Sequence, residues 1–212
     1  MSVRVLLELG GKRVVASAID WPGWCRVGRD EPGALEALRA YADRYAEVAR
    51  EAGLELPEKP ELEVVERAAA RPAYTVMGIP FEVTAFDRSP LDADEADRIA
   101  HLVEATWRVF DRVVAETPAE LTKGPRGGGR DRDKMAGHVF GAESAYARKL
   151  GVRHGPPALA DRAAIDALRA ALLDALRTSD DATNGWPRRY AARRIAWHVL
   201  DHAWEIEDRS PP

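Results

Sequence analysis

The chain has 212 residues, 46% of them hydrophobic and 31% charged, the composition of an ordinary globular protein that buries one large core or two small ones. No apolar run approaches the roughly 20 residues of a membrane span, and Met1-Ser2-Val3-Arg4 lacks the basic-then-apolar pattern of a secretory leader, so no membrane partner and no export are expected. A formal net charge of -4 argues against nucleic acid as a partner; Cys25, the single cysteine, allows neither an intrachain disulfide nor a cysteine-based zinc cluster, which fits a cytoplasmic protein.

From Val3 to Glu8 and from Arg13 to Ile19, β-branched and apolar residues flank Gly10-Gly11, a pair suited to the positive-φ positions of a tight turn, so a β-hairpin is expected. After the break at Trp21-Pro22-Gly23, a short extended piece over Cys25-Arg26-Val27 leads to Asp30 and Pro32, an N-cap and first-turn proline. Leu35, Leu38, Tyr41, Tyr45 and Val48 then recur at three- and four-residue spacing, predicting one helix that ends at Gly53. Extended pattern returns over Leu62 to Val65, Tyr74 to Met77 and Phe81 to Phe86. Residues 1–86 therefore read as a small α+β domain, a sheet carrying one helix.

Residues 87–91 form a linker, and residues 92–212 read as an all-α domain. Asp92 and Glu95 have capping-box spacing at the start of a helix that runs to about Glu116. Three more helices are expected: Asp131 to Leu150 after a glycine-rich connection, Asp161 to Thr178, and from Pro187 to Arg209. Four amphipathic helices of similar length bury their apolar stripes most simply as a four-helix bundle, here taken as up-down-up-down.

The histidines are the most informative residues. His198 and His202 stand one turn apart in the last helix, a spacing a single metal ion can bridge. At 100° per residue, His202 falls within about 20° and His198 within about 60° of Ile195, so both are expected to face the interior. The same count puts His138 on the face of Met135, Ala142 and Ala145, also inward. With the second and fourth helices parallel, the heights of these rings differ by about 6–12 Å, so convergence requires some stagger. Three neutral imidazoles with a fourth position open are the ligand set of a catalytic zinc-type site, with zinc or nickel indicated by ligand type. Glu205 is a candidate catalytic residue, either orienting a ligand or acting as a base; it is equally placed to pair with Arg209. Arg126 and Arg130, around the glycine-rich connection, are candidates for holding the anionic part of a cofactor or substrate at a helix start. Glu143 lies about 140° from His138, which argues against its being a ligand. His101 is expected in solvent and His154 in a loop; Arg188, Arg189, Arg193 and Arg194 read as a solvated basic helix start. Trp197, Leu200 and Trp204 lie away from the histidines and need cover, either from the N-terminal part or from a second copy in a homodimer.

With these residues in place, the C-terminal 120 or so residues resemble the DinB-like superfamily of metal-binding four-helix bundles. The resemblance rests on Gly137-His138-Val139-Phe140-Gly141-Ala142-Glu143 and on His198-Val199-Leu200-Asp201-His202. It implies a divalent metal held by His138, His198 and His202. It also implies a transferase or isomerase activity that presents a low-molecular-weight thiol, such as mycothiol or bacillithiol, to a small-molecule electrophile at the metal; the open fourth position leaves activation of water, and hydrolysis, as the other expectation. The N-terminal part, with Trp21-Pro22-Gly23, Gly28 and the helix from Pro32, is similar to the HicB-like fold; its Pro-Gly-Cys is interrupted by Trp24, and only the shape is carried over. The reading from another class is a non-catalytic interaction protein whose metal site is structural or vestigial.

Overall fold

The computed structural model of the chain describes residues 2–123, 129–178 and 185–211. Strands β1 (Ser2–Gly10) and β2 (Arg13–Ala18) form the expected hairpin, β3 (Cys25–Gly28) pairs antiparallel with β2, and β4 (Glu61–Ala69) pairs parallel with β1, in the order β3-β2-β1-β4. Of the two turn glycines only Gly11 takes a positive φ, 66°. Gly10 is small for another reason: a Cβ there would stand 2.0 Å from Thr75 Oγ1.

One face of the sheet, with Val3, Val5, Leu7, Val14 and Ala16, packs under helices α1 (Glu31–Ala40) and α2 (Ala42–Glu51). Asp30 caps α1 by accepting from Gly33 N at 2.8 Å. The single helix expected from Pro32 to Gly53 is two, broken at Tyr41 (φ -99°, ψ 6°). The break lets Tyr45 stack on buried Trp24 at 5.4 Å and donate to Pro22 O, while the Trp24 indole donates to Leu38 O. Gly28 permits the approach of α1, since a Cβ there would lie 2.1 Å from Ala34 N.

Residues 72–88, expected to be largely extended, contain no strand. Pro72 starts a single helical turn, α3 (Pro72–Thr75), Gly78 turns the chain at φ 71°, and a 3₁₀ turn follows at Phe86–Arg88. The Tyr74 and Phe81 rings stack at 3.7 Å across the turn. Backbone groups here find side-chain partners instead of a neighbouring strand: Phe81 N and Glu82 N donate to Glu8, and Phe81 O accepts from the Tyr190 hydroxyl.

The four long helices fall close to their expected bounds: α4 (Ala93–Glu116), α5 (Arg132–Lys149), α6 (Arg162–Arg177) and α7 (Arg188–Asp208). Asp92 and Asp161 cap α4 and α6. The helix directions differ from the expected alternation. Trp186 N, just before α7, donates to Lys149 O at the end of α5, and Gly129, just before α5, lies against Arg209 at the end of α7, so α5 and α7 are antiparallel. Arg177 reaches Asp97 and Arg162 reaches Asp111, so α6 is antiparallel to α4; Arg189 reaches Glu95, so α4 and α7 run together. The order is up, down, down, up, with residues 150–161 returning over the length of the helices between α5 and α6. Among the described residues no helix is long and apolar enough to cross a membrane.

Helix α7 is the centre of the molecule. Every residue from Arg188 to Leu200 is buried, because the other face of the sheet covers one side of α7 and the other three long helices cover the rest. Trp197 packs on Val15 and Cys25, a Cβ on Gly23 would meet Leu200, and Trp204 touches the Tyr41 ring. The N-terminal part thus supplies the cover that these three residues need. The four arginines expected in solvent are buried: Arg193 forms a two-pronged bond to Asp87 and Arg189 bonds Pro90 O and Glu95, both holding the connecting segment against α7.

Candidate metal centre

His198 and His202 lie on the side of α7 that faces α5, and His138 faces them from α5. The antiparallel course of these helices sets the height: His138 is six residues past the start of α5 and His202 six before the end of α7, so the rings meet without the stagger that parallel helices would need. Ring centroids are 5.0 Å apart for His138 and His198, 5.1 Å for His138 and His202, and 4.7 Å for His198 and His202. One ring nitrogen of each can be chosen so that all three lie within 4.8 Å of one another.

The Nε2 atoms of His138 and His198 face each other at 3.2 Å. Two nitrogens on a tetrahedral ion with bonds near 2.05 Å are about 3.3 Å apart, so this pair already has the spacing of two ligands. His198 is 7% exposed, and its Nδ1 has no hydrogen-bond partner among the described residues. Burial, then the neighbouring His202 and His138, pushes the His198 imidazolium down to about 2, so the ring is neutral, as a metal ligand must be. His138 is shifted the same way, by burial and then by His202 and Arg130.

His138 is not in the interior as its expected face implied. The buried stripe of α5 runs through Met135, Ala136, Val139, Phe140, Glu143 and Ala147, while Ala145 is exposed. Alanine and glycine on several faces of α5 blur its amphipathic pattern, and a carboxylate occupies the core. Glu143 turns away from the histidines toward α6, where Arg169 lies 3.5 Å away and is itself paired with Asp111. His138 stands at the solvent edge, so the cluster is closed on the α7 side and open on the α5 side.

Glu205 forms the expected pair with Arg209 and also meets His202. One oxygen faces His202 Nδ1 at 3.3 Å and the other accepts from Arg209 at 2.8 Å. With Nδ1 donating to Glu205, the Nε2 lone pair of His202 is left for an ion. The bond from His202, then that from Arg209, holds the Glu205 carboxyl below its ordinary range. A cleft of about 310 Å³ opens beside Glu205 between α7 and the N-terminal part; in its wall the Arg26 guanidinium lies 3.5 Å from the centre of the Tyr41 ring and 4.3 Å from that of Trp204.

Arg130 is exposed just ahead of α5, and its charge helps to depress both His138 and His198. Arg126 lies outside the described residues. His101 is exposed beside Asp97, and His154 bonds Gly155 O in the loop after α5, away from the cluster. Cys25 is buried beneath Trp197 with its thiol pushed up to about 12 by desolvation, which disfavours the thiolate. Two residues near the cluster did not stand out from the sequence: Tyr146, with its ring centre 5.9 Å from that of His198, and Arg194, one turn before His198. The four-residue spacing between Arg194 and His198 is the signal that could have found it, but four arginines at a helix start resemble a solvated patch. Comparison with family models, curated proteins and solved structures gives no match to this chain.

Proposed function

We propose that the chain binds a divalent metal ion, zinc or nickel, through His138, His198 and His202 in a DinB-like four-helix bundle, and uses it to activate a low-molecular-weight thiol or water in thiol transfer or hydrolysis. The observation that carries the reading is three imidazoles from two helices, with ligand nitrogens within 4.8 Å of one another and few competing bonds of their own. When bound, such an ion lowers the pKa of a coordinated thiol or water toward neutrality. The chain's own contribution is to fix the rings. Glu205 accepts the Nδ1 proton of His202 and so selects its tautomer, burial keeps His198 uncharged, and Arg209 fixes the far side of Glu205. The position of His138 at the solvent edge favours an accessible ion over one sealed beneath apolar side chains.

The test is metal content. Protein purified without a metal-binding tag and dialysed against excess zinc or nickel is expected to hold one ion per chain, and His198→Ala and His202→Ala less than a tenth of that, with an unchanged circular dichroism spectrum. Full retention of metal in a folded His202→Ala protein would exclude this ligand set.

A further inference from the structure

Arg189 and Arg193 of α7 each meet a carboxylate, Glu95 at 2.8 Å and Asp87 at 2.7 Å. Arg194 does not. It is 6% exposed, yet among the described residues no carboxylate lies within ion-pair distance of it. Its guanidinium donates only long bonds, to Pro80 O at 3.3 Å and to the Tyr146 hydroxyl at 3.5 Å, and Nε has no partner. The rings of Trp197, Tyr146 and Phe81 stand 4.8, 5.8 and 5.9 Å from its Cζ, which offsets part of the cost of burying the charge but supplies no anion.

The position of this charge gives it a use. Arg194 and His198 are four residues apart on α7, hence on one face and about 6 Å apart along the axis. Tyr146, which receives the guanidinium, also lies edge-on to His198. The charge therefore adjoins the histidine cluster on its N-terminal side, and Arg130 adds a second positive charge toward the cluster's other end. A bound divalent cation would make the region more positive still, while Glu205 at the far side is already engaged by Arg209.

We propose that Arg194, with the Tyr146 hydroxyl, is an anion subsite that receives a carboxylate of the ligand while the ligand's thiol or water-derived group occupies the open position at the histidines. This rests on the metal reading above and narrows the substrate class to anionic small molecules, with about one helical turn between the reactive atom and the acid group.

The test uses the full chain loaded with cobalt(II), titrated with 3-mercaptopropionate and with the neutral 2-mercaptoethanol, and followed by visible and near-ultraviolet absorption. The wild type is expected to bind the anionic thiol at least tenfold more tightly, the effect of one charged hydrogen bond. Arg194→Met should bind cobalt normally and lose the preference. Arg194→Lys, which keeps the charge without the fork, should keep part of it. Equal wild-type affinity for the two thiols overturns the proposal even if Arg194→Met does not fold, and so does a preference that survives in folded Arg194→Met. Failure of the metal reading looks different: wild-type protein takes up no cobalt, or neither thiol alters its spectrum, and the anion subsite then falls with it.

Discussion

Glu143 and Glu205 are carboxylates on the two helices that supply the histidines, and their surroundings move them in opposite directions. Glu205, half-buried, is held low by His202 and Arg209. Glu143 is 1% exposed and burial pushes it up to about 7, against the partial opposition of Arg169. A carboxyl raised in the folded state binds more protons folded than unfolded, so its contribution turns unfavourable as pH rises from the ordinary carboxylate value through 7. Glu143→Gln abolishes that titration while Arg169 keeps Asp111. In urea unfolding, the stability of Glu143→Gln relative to wild type is therefore expected to improve by on the order of 2 kcal/mol between pH 5 and pH 8; a constant difference would show that Glu143 stays ionised in the folded chain. For Glu205→Gln, which weakens the acceptor behind His202, metal affinity is expected to fall about 10- to 100-fold with little change in stability. Competition with a chelator measures it, and an unchanged affinity would remove Glu205 from any role at the ion.

At the scale of elements, α7 holds the connecting segment by charge. Arg193 is buried with two bonds to Asp87, and Glu8 lies 4.0 Å away while accepting from the backbone of Phe81 and Glu82. Removing one partner leaves buried carboxylates uncompensated, so Arg193→Met is expected to cost about 3–5 kcal/mol. Arg67→Met, at an exposed pair with Glu31, should leave stability nearly unchanged. Chemical denaturation of the two variants side by side checks the contrast, and similar losses would mean that the clamp contributes nothing special. The same clamp explains what could be read from the sequence. The hairpin, the caps at Asp30 and Asp92 and the four long helices were legible because their signals are local: turn glycines, N-cap side chains and residue spacing. Residues 72–88 were not, because the backbone of residues 80–82 is bonded by side chains distant in sequence, Glu8 on β1 and Tyr190, Arg193 and Arg194 on α7. In the site, the spacing of His198 and His202 was legible on α7, whereas the rim position of His138 and the direction of α5 depend on where Glu143 and Gly129 are packed.

At the scale of the whole molecule, α7 belongs to two layers at once, and this governs how the protein unfolds. Its Trp197, Leu200 and Trp204 are covered by the N-terminal part, and its Ile195, Val199 and Ile206 lie in the same apolar cluster as α4, α5 and α6. Charged contacts cross the same boundary: Arg44 of α2 reaches Glu207 and Asp208, and Arg112 of α4 reaches Glu47 and Glu51. Stripping residues 1–86 away would expose three large apolar side chains, on the order of 5–9 kcal/mol together, and remove Glu8 and the Pro80 and Glu82 carbonyls from Arg193 and Arg194, a change comparable to the 5–15 kcal/mol by which domains are stable. The full chain is therefore expected to unfold in one transition in guanidinium, with tryptophan fluorescence and far-ultraviolet circular dichroism giving the same midpoint. Residues 92–212 expressed alone are expected to be helical yet to bind a hydrophobic dye and melt without a sharp transition. Two separated transitions in the full chain, or a sharp melt of the isolated helices near the midpoint of the whole, would mean that the sheet and the helices are independent domains, and that α7 does not need the N-terminal part to hold its histidines in place.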